Sequence, residues 1–161
     1  MPDDPQFRPL GPGDLGWIVE RHGTAYARDE GFDGSFEILV ARVVADFAES
    51  HDPTREAGWI VAREGQRLGS IFCVAEDAVT ARLRLVYLEP EERGRGLGRQ
   101  MLDHAMAFAR GAGFRRMVVS THESHRAAGA LYRRAGFALT ASWPARSFGR
   151  DVVVQTFETD L

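Results

Sequence analysis

The sequence predicts one α+β domain over residues 1–161, built on a mixed sheet of about seven strands with about four helices on both faces. The length of 161 residues suits a single core. A composition of 44% hydrophobic and 27% charged residues is typical of a packed chain rather than a disordered one. The hydrophobic period also alternates between helix and strand spacing, which gives the order strand, two helices, three strands, helix, strand, helix and two strands.

The N-terminal part predicts a short strand at residues 7–10 and then two amphipathic helices. Asp14 follows a glycine-proline turn and is expected to be the N-cap of the first helix. Side chains that share one helical face follow it: Leu15, Ile18, Val19, His22 and Tyr26. Glycines at 31 and 34 separate this helix from a second, in which apolar residues recur every three or four positions from Phe36 to Phe47.

From Gly58 onward, strand patterns dominate and two further helices are expected. A hairpin turns at Glu64-Gly65, and glycines end both helices. The expected elements are, in order, strands at 59–62, 68–75 and 81–88, a helix from 97 to about 111, a buried strand at 117–119, a helix from about 124 to 135, and strands at 138–143 and 152–157.

Charge and residue usage exclude several classes of function. The chain carries 23 acidic and 20 basic residues, with the basic ones dispersed, so nucleic acid is not an expected partner. All the basic residues are arginine, which excludes lysine chemistry and a P-loop. No apolar stretch approaches the roughly 20 residues of a membrane span, and the N-terminus resembles no signal peptide, so a cytoplasmic protein without membrane contact is expected. Cys73 lies in an apolar run and is expected to be buried, and no metal site is expected.

The most informative segment is a glycine-rich loop between a predicted strand and a predicted helix. Gly94, Gly96 and Gly98 remove side chains where a ligand would approach the backbone. The free N–H groups at the start of the following helix favour an anion, so the segment indicates a phosphate site. The spacing does not fit the dinucleotide-binding fingerprint. A loop whose glycines only relieve packing is the alternative.

Two motifs in this order resemble those of the GCN5-related N-acetyltransferase (GNAT) family. Residues 93–98, Arg-Gly-Arg-Gly-Leu-Gly after Leu-Glu-Pro, are similar to the acyl-CoA signature Arg/Gln-x-x-Gly-x-Gly/Ala. Residues 125–137 are similar to the second signature, with His125 in place of its Asn, and with Tyr132 shortly before Gly-Phe. A looser resemblance over residues 16–23, 26–28, 41–47 and 147–151 is to the acetyltransferase half of proteins that fuse this fold to a MarR-type regulator. The DNA-binding regulator half is expected to be missing from this chain.

The resemblance implies the GNAT fold, with a mixed and mostly antiparallel sheet. It implies transfer of an acetyl group from acetyl-CoA to a primary amine of a small molecule or peptide. Direct attack in a ternary complex is expected, because no Cys or Ser maps to the acceptor position. A non-catalytic acyl-CoA-binding regulatory module is the alternative. The oligomeric state stays open, with a homodimer as one possibility.

The resemblance also implies roles for individual residues. Tyr132 corresponds to the general acid that protonates the departing thiolate, and His125 stands where an Asn contacts the cofactor arm. The strand backbone that pairs with the pantetheine arm corresponds to Val86, Tyr87 and Leu88. The loop that holds the pyrophosphate corresponds to Arg93, Gly94, Arg95, Gly96, Leu97, Gly98 and Arg99.

The acceptor side is less well defined by sequence. Arg82 and Arg84 alternate on the strand flanking the expected cleft, and Arg84 is expected to bind an acidic group of the acceptor. His22 and Tyr26 on the first helix correspond to the family's substrate-facing region. No carboxylate maps to a general base. The open alternatives are ordered water, His22, His122 and Glu123.

Overall fold

The computed structural model describes residues 3–161, and its elements follow the predicted order. A short 3-10 turn at Pro90–Glu92 precedes the third helix. The strands are β1 (Gln6–Pro9), β2 (Ala57–Arg63), β3 (Gln66–Ala75), β4 (Thr80–Leu88), β5 (Arg116–His122), β6 (Ala138–Ser147) and β7 (Arg150–Asp160). The helices are α1 (Asp14–Glu30), α2 (Gly34–Ser50), α3 (Leu97–Gly111) and α4 (Arg126–Arg134).

The strands form one seven-stranded sheet in the order β1-β2-β3-β4-β5-β7-β6. Every neighbouring pair is antiparallel except β4 and β5, which run parallel. Alternation along β3 shows how the two faces are covered: Phe72 packs with α1 and α2, whereas Ile71 and Cys73 pack with α3 and α4. The predicted mixed, mostly antiparallel sheet with helices on both faces is confirmed.

The C-terminal hairpin is longer than predicted. β6 continues through Pro144 to Ser147, and a tight turn at Phe148-Gly149 joins it to β7. Both turn residues have positive φ, 56° and 77°. β6 is an edge strand and mostly exposed, so its sequence lacks the apolar alternation that marks a buried strand, and an edge tolerates proline.

Asp14 does not have its predicted role as the N-cap. Gly13, with φ of 86°, occupies the cap, and Asp14 is the first residue of α1. Its carboxylate is fully buried and accepts hydrogen bonds from Arg8 at 2.7 and 3.0 Å, Arg67 at 2.7 Å and the Gly11 N–H at 2.6 Å. Asp14 therefore ties β1, α1 and β3 together, through partners that a local capping pattern does not reveal.

We expect Asp14→Ala to lower the free energy of unfolding at pH 7 by about 3 kcal/mol, because it removes the buried partner of two arginines. Burial opposes ionisation of Asp14, but the hydrogen bonds from Arg8, Arg67 and Gly11 outweigh it and lower the pKa to about 2. Since this pKa lies below the unfolded value of about 3.9, the stabilisation is complete above about pH 5 and disappears as the pH falls toward 2.

Urea denaturation of the wild type and variant at several pH values tests this expectation. Exposed Asp46 on α2 provides the control, since Asp46→Ala should change stability by less than about 0.5 kcal/mol. A stability difference between wild type and Asp14→Ala that is as large at pH 2 as at pH 7 would contradict the role assigned to the carboxylate.

The single cysteine, Cys73, was expected to be buried. Cys73 is buried and unpaired, as predicted, and burial together with Glu56 raises the pKa of its thiol to about 12, so it is not a ready nucleophile.

Within residues 3–161, none of the helices combines the length and the apolar character needed to cross a membrane.

Candidate active site

The site lies where the two parallel strands separate. β4 and β5 pair only over Thr80–Arg82 and Arg116–Val118, although both strands continue beyond these residues. A cavity of about 960 Å³ opens there, lined by the diverging strands and by parts of all four helices. The sheet therefore presents unpaired strand backbone to a space large enough for a sizeable ligand.

A β-bulge turns β4 toward this cavity. The pairing with β3 shifts between Ser70 and Phe72, and Leu85 adopts φ of 52°, which is uncommon for a residue with a branched side chain. Ser70 is fully buried and its hydroxyl donates a 2.8 Å hydrogen bond to the Leu85 carbonyl. This bulge was not predicted from the sequence, in which its available signal is a serine within an apolar strand.

After the bulge, the predicted strand segment lines the cavity. Val86, Tyr87 and Leu88 all contribute to the wall. The Tyr87 side chain is buried, and its hydroxyl donates to Glu89 at 3.1 Å. The Leu88 carbonyl accepts a 3.0 Å hydrogen bond from the Arg93 Nε, which joins the end of β4 to the glycine-rich loop.

The glycine-rich loop forms a cradle at the start of α3. Gly94 and Gly96 have φ of 76° and 85°, and a Cβ at either position would meet no heavy atom within 4 Å. At Gly98 a Cβ would lie 3.4 Å from Leu131. The backbone is therefore bare on the side that faces the cavity, and the first N–H groups of α3 have no partner within the helix.

Not all of the predicted loop residues line the cavity. Arg93, Gly94, Gly96, Gly98 and Arg99 line it. Leu97 instead packs in the core beneath α3, because it begins the apolar face of that helix, and Arg95 is exposed outside the cavity wall. Leu97 can therefore contribute through its backbone, while the role of the Arg95 side chain stays a prediction.

Further arginines reach the cavity from α4. Arg126 and Arg134 line it, although they were not predicted from the sequence. The Arg99 guanidinium donates to Asp103 at 3.0 Å and to the Arg134 carbonyl at 3.2 Å. Together with Arg93, these side chains supply positive charge close to the cradle, a distribution that suits an anionic ligand.

Tyr132 lies on the cavity side of α4. Its side chain is 3% exposed and packs between the rings of Phe137 and Phe157, each with its centroid 5.8 Å away. Burial, with a smaller contribution from Tyr26, raises the pKa of its hydroxyl. The phenol is therefore protonated at neutral pH, and its hydroxyl makes no hydrogen bond within residues 3–161.

His125 and Ser124 connect the start of α4 to α1. The Nδ1 atom of His125 lies 3.3 Å from the Tyr26 hydroxyl, and its side chain makes no cap bond to α4. The Ser124 hydroxyl donates a 2.7 Å hydrogen bond to Glu30. These two contacts join α1 to the loop after β5, on the wall formed by Tyr26, Glu30, Ser124 and His125.

The predicted acceptor-side residues also meet at the cavity. Arg84 is opposite Phe72 in the sheet register, so both side chains lie on the face covered by α1 and α2. Arg84 is exposed, lines the cavity and forms no ion pair within residues 3–161, whereas Arg82 is bound to Glu76. Apolar side chains of α2 lie along the same cavity: Phe36, Leu39, Val40 and Val43.

Of the three residues predicted as alternatives for the general base, the structure places His22 at the cavity. His22 is 3% exposed and lines the cavity, while His122 and Glu123 do not. The Nδ1 atom of His22 lies 2.8 Å from the Ile18 carbonyl oxygen.

Comparisons with known proteins agree with this geometry. The model of the acetyltransferase (GNAT) family matches residues 21–137. A mycothiol acetyltransferase from Beutenbergia cavernae is 32% identical over 81 residues, which are 49% of this chain and 27% of that protein. An L-methionine sulfoximine/L-methionine sulfone acetyltransferase from Pseudomonas paraeruginosa is 36% identical over 67 residues, 40% of this chain and 39% of that protein. The matches thus span well under half the length of these curated relatives.

Solved structures share the fold at low sequence identity. A GNAT-family acetyltransferase from Streptococcus pneumoniae superposes with a TM-score of 0.74 at 17% identity, covering 98% of this chain and 100% of that one. A protein from Salmonella typhimurium, solved with its cofactor acetyl-CoA, gives a TM-score of 0.73 at 22% identity, covering 98% and 94%. These likenesses show that the chain shares the fold of these acetyltransferase structures.

Proposed function

Because the chain belongs to the acetyltransferase (GNAT) family, we propose that it transfers the acetyl group of acetyl-CoA to a primary amine of a small molecule or peptide. The observation that carries the proposal is the cavity between β4 and β5. It joins a bare glycine cradle, which suits phosphates, to a buried protonated tyrosine and an unpaired arginine.

The residues at the donor end fit acetyl-CoA. The N–H groups of residues 93–99 at the start of α3 would hold the pyrophosphate, with Arg93 and Arg99 beside it. The backbone of Val86, Tyr87 and Leu88 has no partner in β5, so the groups on that side that remain free would offer hydrogen bonds to the amide groups of the pantetheine arm. His125 lies on the opposite wall, where its ring can contact the arm.

The reaction follows from the groups that meet at the cavity. The amine nitrogen attacks the thioester carbonyl carbon and gives up one proton, the carbon–sulfur bond then breaks, and the proton from nitrogen finally replaces the one that Tyr132 donates to sulfur. Tyr132 donates its hydroxyl proton to the departing sulfur, a role for which a phenol that stays protonated at neutral pH is suited. Holding amine and thioester together in one enclosed site supplies much of the remaining acceleration. The proposed transfer requires no metal.

The acceptor is proposed to be a small amine with an acidic group. The two curated relatives act, by their names, on small molecules. Arg84 provides an unpaired guanidinium in the cavity wall, and His22 and Tyr26 line the same space from α1. A carboxylate on the acceptor would bind Arg84 through charge-assisted hydrogen bonds.

A panel of acceptors tests the proposed function. L-Leucine and 3-methylbutylamine differ only in the carboxylate, and L-methionine sulfone extends the set toward a relative's substrate. Release of free CoA thiol together with an acetylated product, identified by mass, would support acetyl transfer. Tight binding of acetyl-CoA without acetylation of any acceptor would favour a non-catalytic binding module instead.

We expect Arg84→Gln to raise the KM for L-leucine by about tenfold, because a charge-assisted hydrogen bond contributes roughly 1.5 kcal/mol or more. The KM for acetyl-CoA and for 3-methylbutylamine should change little. Arg42→Gln, an exposed substitution on α2, is the matched control. Equal increases in KM for all three substrates would refute a specific contact between Arg84 and the acceptor.

We also propose that residues 1–161 act as one domain in the cytoplasm, without a nucleic acid or membrane partner. The dispersed arginines and the net charge of −3 support this assignment. The homodimer and the resemblance to the acetyltransferase half of MarR fusions stay predictions. Size-exclusion chromatography with light scattering would test the first of these.

A further inference from the structure

His22 is a buried base in the cavity wall to which the transfer described above gives no chemical role. Its Nδ1 atom lies 2.8 Å from the carbonyl oxygen of Ile18. Because a carbonyl oxygen can only accept a hydrogen bond, Nδ1 must carry the proton of the neutral ring. The Nε2 atom therefore carries a lone pair and lies on the far side of the ring from this contact with the helix backbone.

The Nε2 atom is buried and has no hydrogen-bond partner within residues 3–161. Such atoms are rare in folded proteins, because burial removes water without replacing its hydrogen bond. His51 on the second helix provides an internal comparison. Its Nδ1 makes the same 2.8 Å contact with the carbonyl four residues earlier, but its side chain is partly exposed and does not line the cavity.

Each of the other bases in the cavity wall has at least one hydrogen-bond partner. His125 shares its Nδ1 with the Tyr26 hydroxyl, Glu30 accepts a hydrogen bond from Ser124, and Asp29 is bound to Arg28. Within residues 3–161, His22 is therefore the histidine or carboxylate of the cavity wall whose acceptor atom is buried and has no hydrogen-bond partner.

The surroundings keep the His22 ring neutral. Burial lowers the pKa of His22 to about 4, against the opposing effect of the bond to Ile18. The titratable groups whose rings face it are Tyr87 on β4, at 5.5 Å between centroids, and Tyr26 on α1, at 6.2 Å. Burial raises the pKa of both phenols to about 12, so neither is charged at neutral pH.

On the premise that the proposed acetyl transfer is correct, we propose that His22 is a catalytic residue whose Nε2 accepts the proton of the attacking amine. As the neutral amine forms its bond to the carbonyl carbon, its nitrogen becomes acidic, and one N–H proton moves to Nε2. Tyr132 gives its proton to sulfur when the carbon–sulfur bond breaks. Proton transfer from the His22 imidazolium to the Tyr132 phenolate, through water, restores both groups.

His22→Gln tests this role, because glutamine can accept a hydrogen bond but cannot take up a proton at neutral pH. We expect kcat for the best acceptor among L-leucine, 3-methylbutylamine and L-methionine sulfone to fall about a hundredfold. The Kd for acetyl-CoA and the Tm should stay near wild type. The residual rate should keep rising with pH between 7 and 10, as hydroxide replaces the lost base. His51→Gln, the same change at the matched helical contact, should leave kcat unchanged.

The outcomes separate this proposal from the proposed function. If the wild type acetylates an amine and His22→Gln keeps the wild-type kcat and pH profile, His22 is not the proton acceptor, while acetyl transfer stands. If the wild type binds acetyl-CoA but acetylates no member of the panel, acetyl transfer and the role of His22 are both rejected. Should His22→Gln lower the Tm strongly, His22→Phe, which keeps the ring contacts with Tyr26 and Tyr87, takes its place with the same expected loss.

Discussion

Replacing Tyr132 with phenylalanine should lower kcat by about a hundredfold to ten-thousandfold, equivalent to roughly 3 to 5 kcal/mol of activation free energy. The substitution removes one hydroxyl and almost no volume. The ring contacts with Phe137 and Phe157 stay in place, so folding should survive. Steady-state kinetics with the best acceptor, together with the Tm and the Kd for acetyl-CoA, provide the measurement.

The same variant separates an enzyme from a binding module. A large loss of kcat with unchanged acetyl-CoA affinity and Tm would place the Tyr132 hydroxyl in the chemical step. Full turnover by Tyr132→Phe would make Tyr132 a core residue, and the sulfur would then take its proton from water or from His125. A parallel loss of Tm would point to packing rather than proton donation.

Gly98→Leu should weaken acetyl-CoA binding by about a hundredfold, a loss of roughly 3 kcal/mol. A Cβ at this position would lie 3.4 Å from Leu131, so the rest of the side chain must extend into the cavity beside the cradle. The pyrophosphate and the new side chain would then compete for the same space. Isothermal titration calorimetry with acetyl-CoA measures the change directly.

Gly16→Leu is the matched control for this substitution. Gly16 also lies in the first turn of a helix, α1, and a Cβ there would meet no heavy atom within 4 Å. Both replacements remove a helical glycine and so bring a similar gain in helix propensity. Unchanged acetyl-CoA affinity in Gly98→Leu would show that the ligand does not approach the backbone at this point.

The helices and strands could be predicted from the sequence because their periodic patterns are local, whereas the mostly antiparallel pairing of the strands was implied by the family resemblance. The alternation of helix and strand spacing identified all seven strands and four helices of residues 3–161, and errors fell mainly at their ends. The edge strand β6 was predicted too short, because an exposed strand has no apolar face to reveal its length. The glycine-rich loop was recognisable for the same reason, since its residues are adjacent in the chain.

The parts of the site that sequence missed depend on contacts between distant segments. Ser124 and Glu30 are separated by 94 positions, and Tyr26 and His125 by 99. Their pairing follows from how α1 packs against the start of α4, which no local pattern encodes. Asp14 was misread for a similar reason, because its partner Arg67 belongs to β3, 53 residues away.

Because β4 and β5 pair over only three residues of each strand, backbone groups in the middle of the sheet lack a neighbouring strand. Elsewhere in proteins, a strand with unpaired N–H and C=O groups is a place where other chains can add and aggregate. Here residues of all four helices line the cavity beside these backbone groups, and a thin chain-like molecule such as a pantetheine arm would complete the hydrogen-bond ladder. Bound acetyl-CoA would then take the place of an additional strand. Resistance to unfolding and to proteolysis would increase with the concentration of acetyl-CoA.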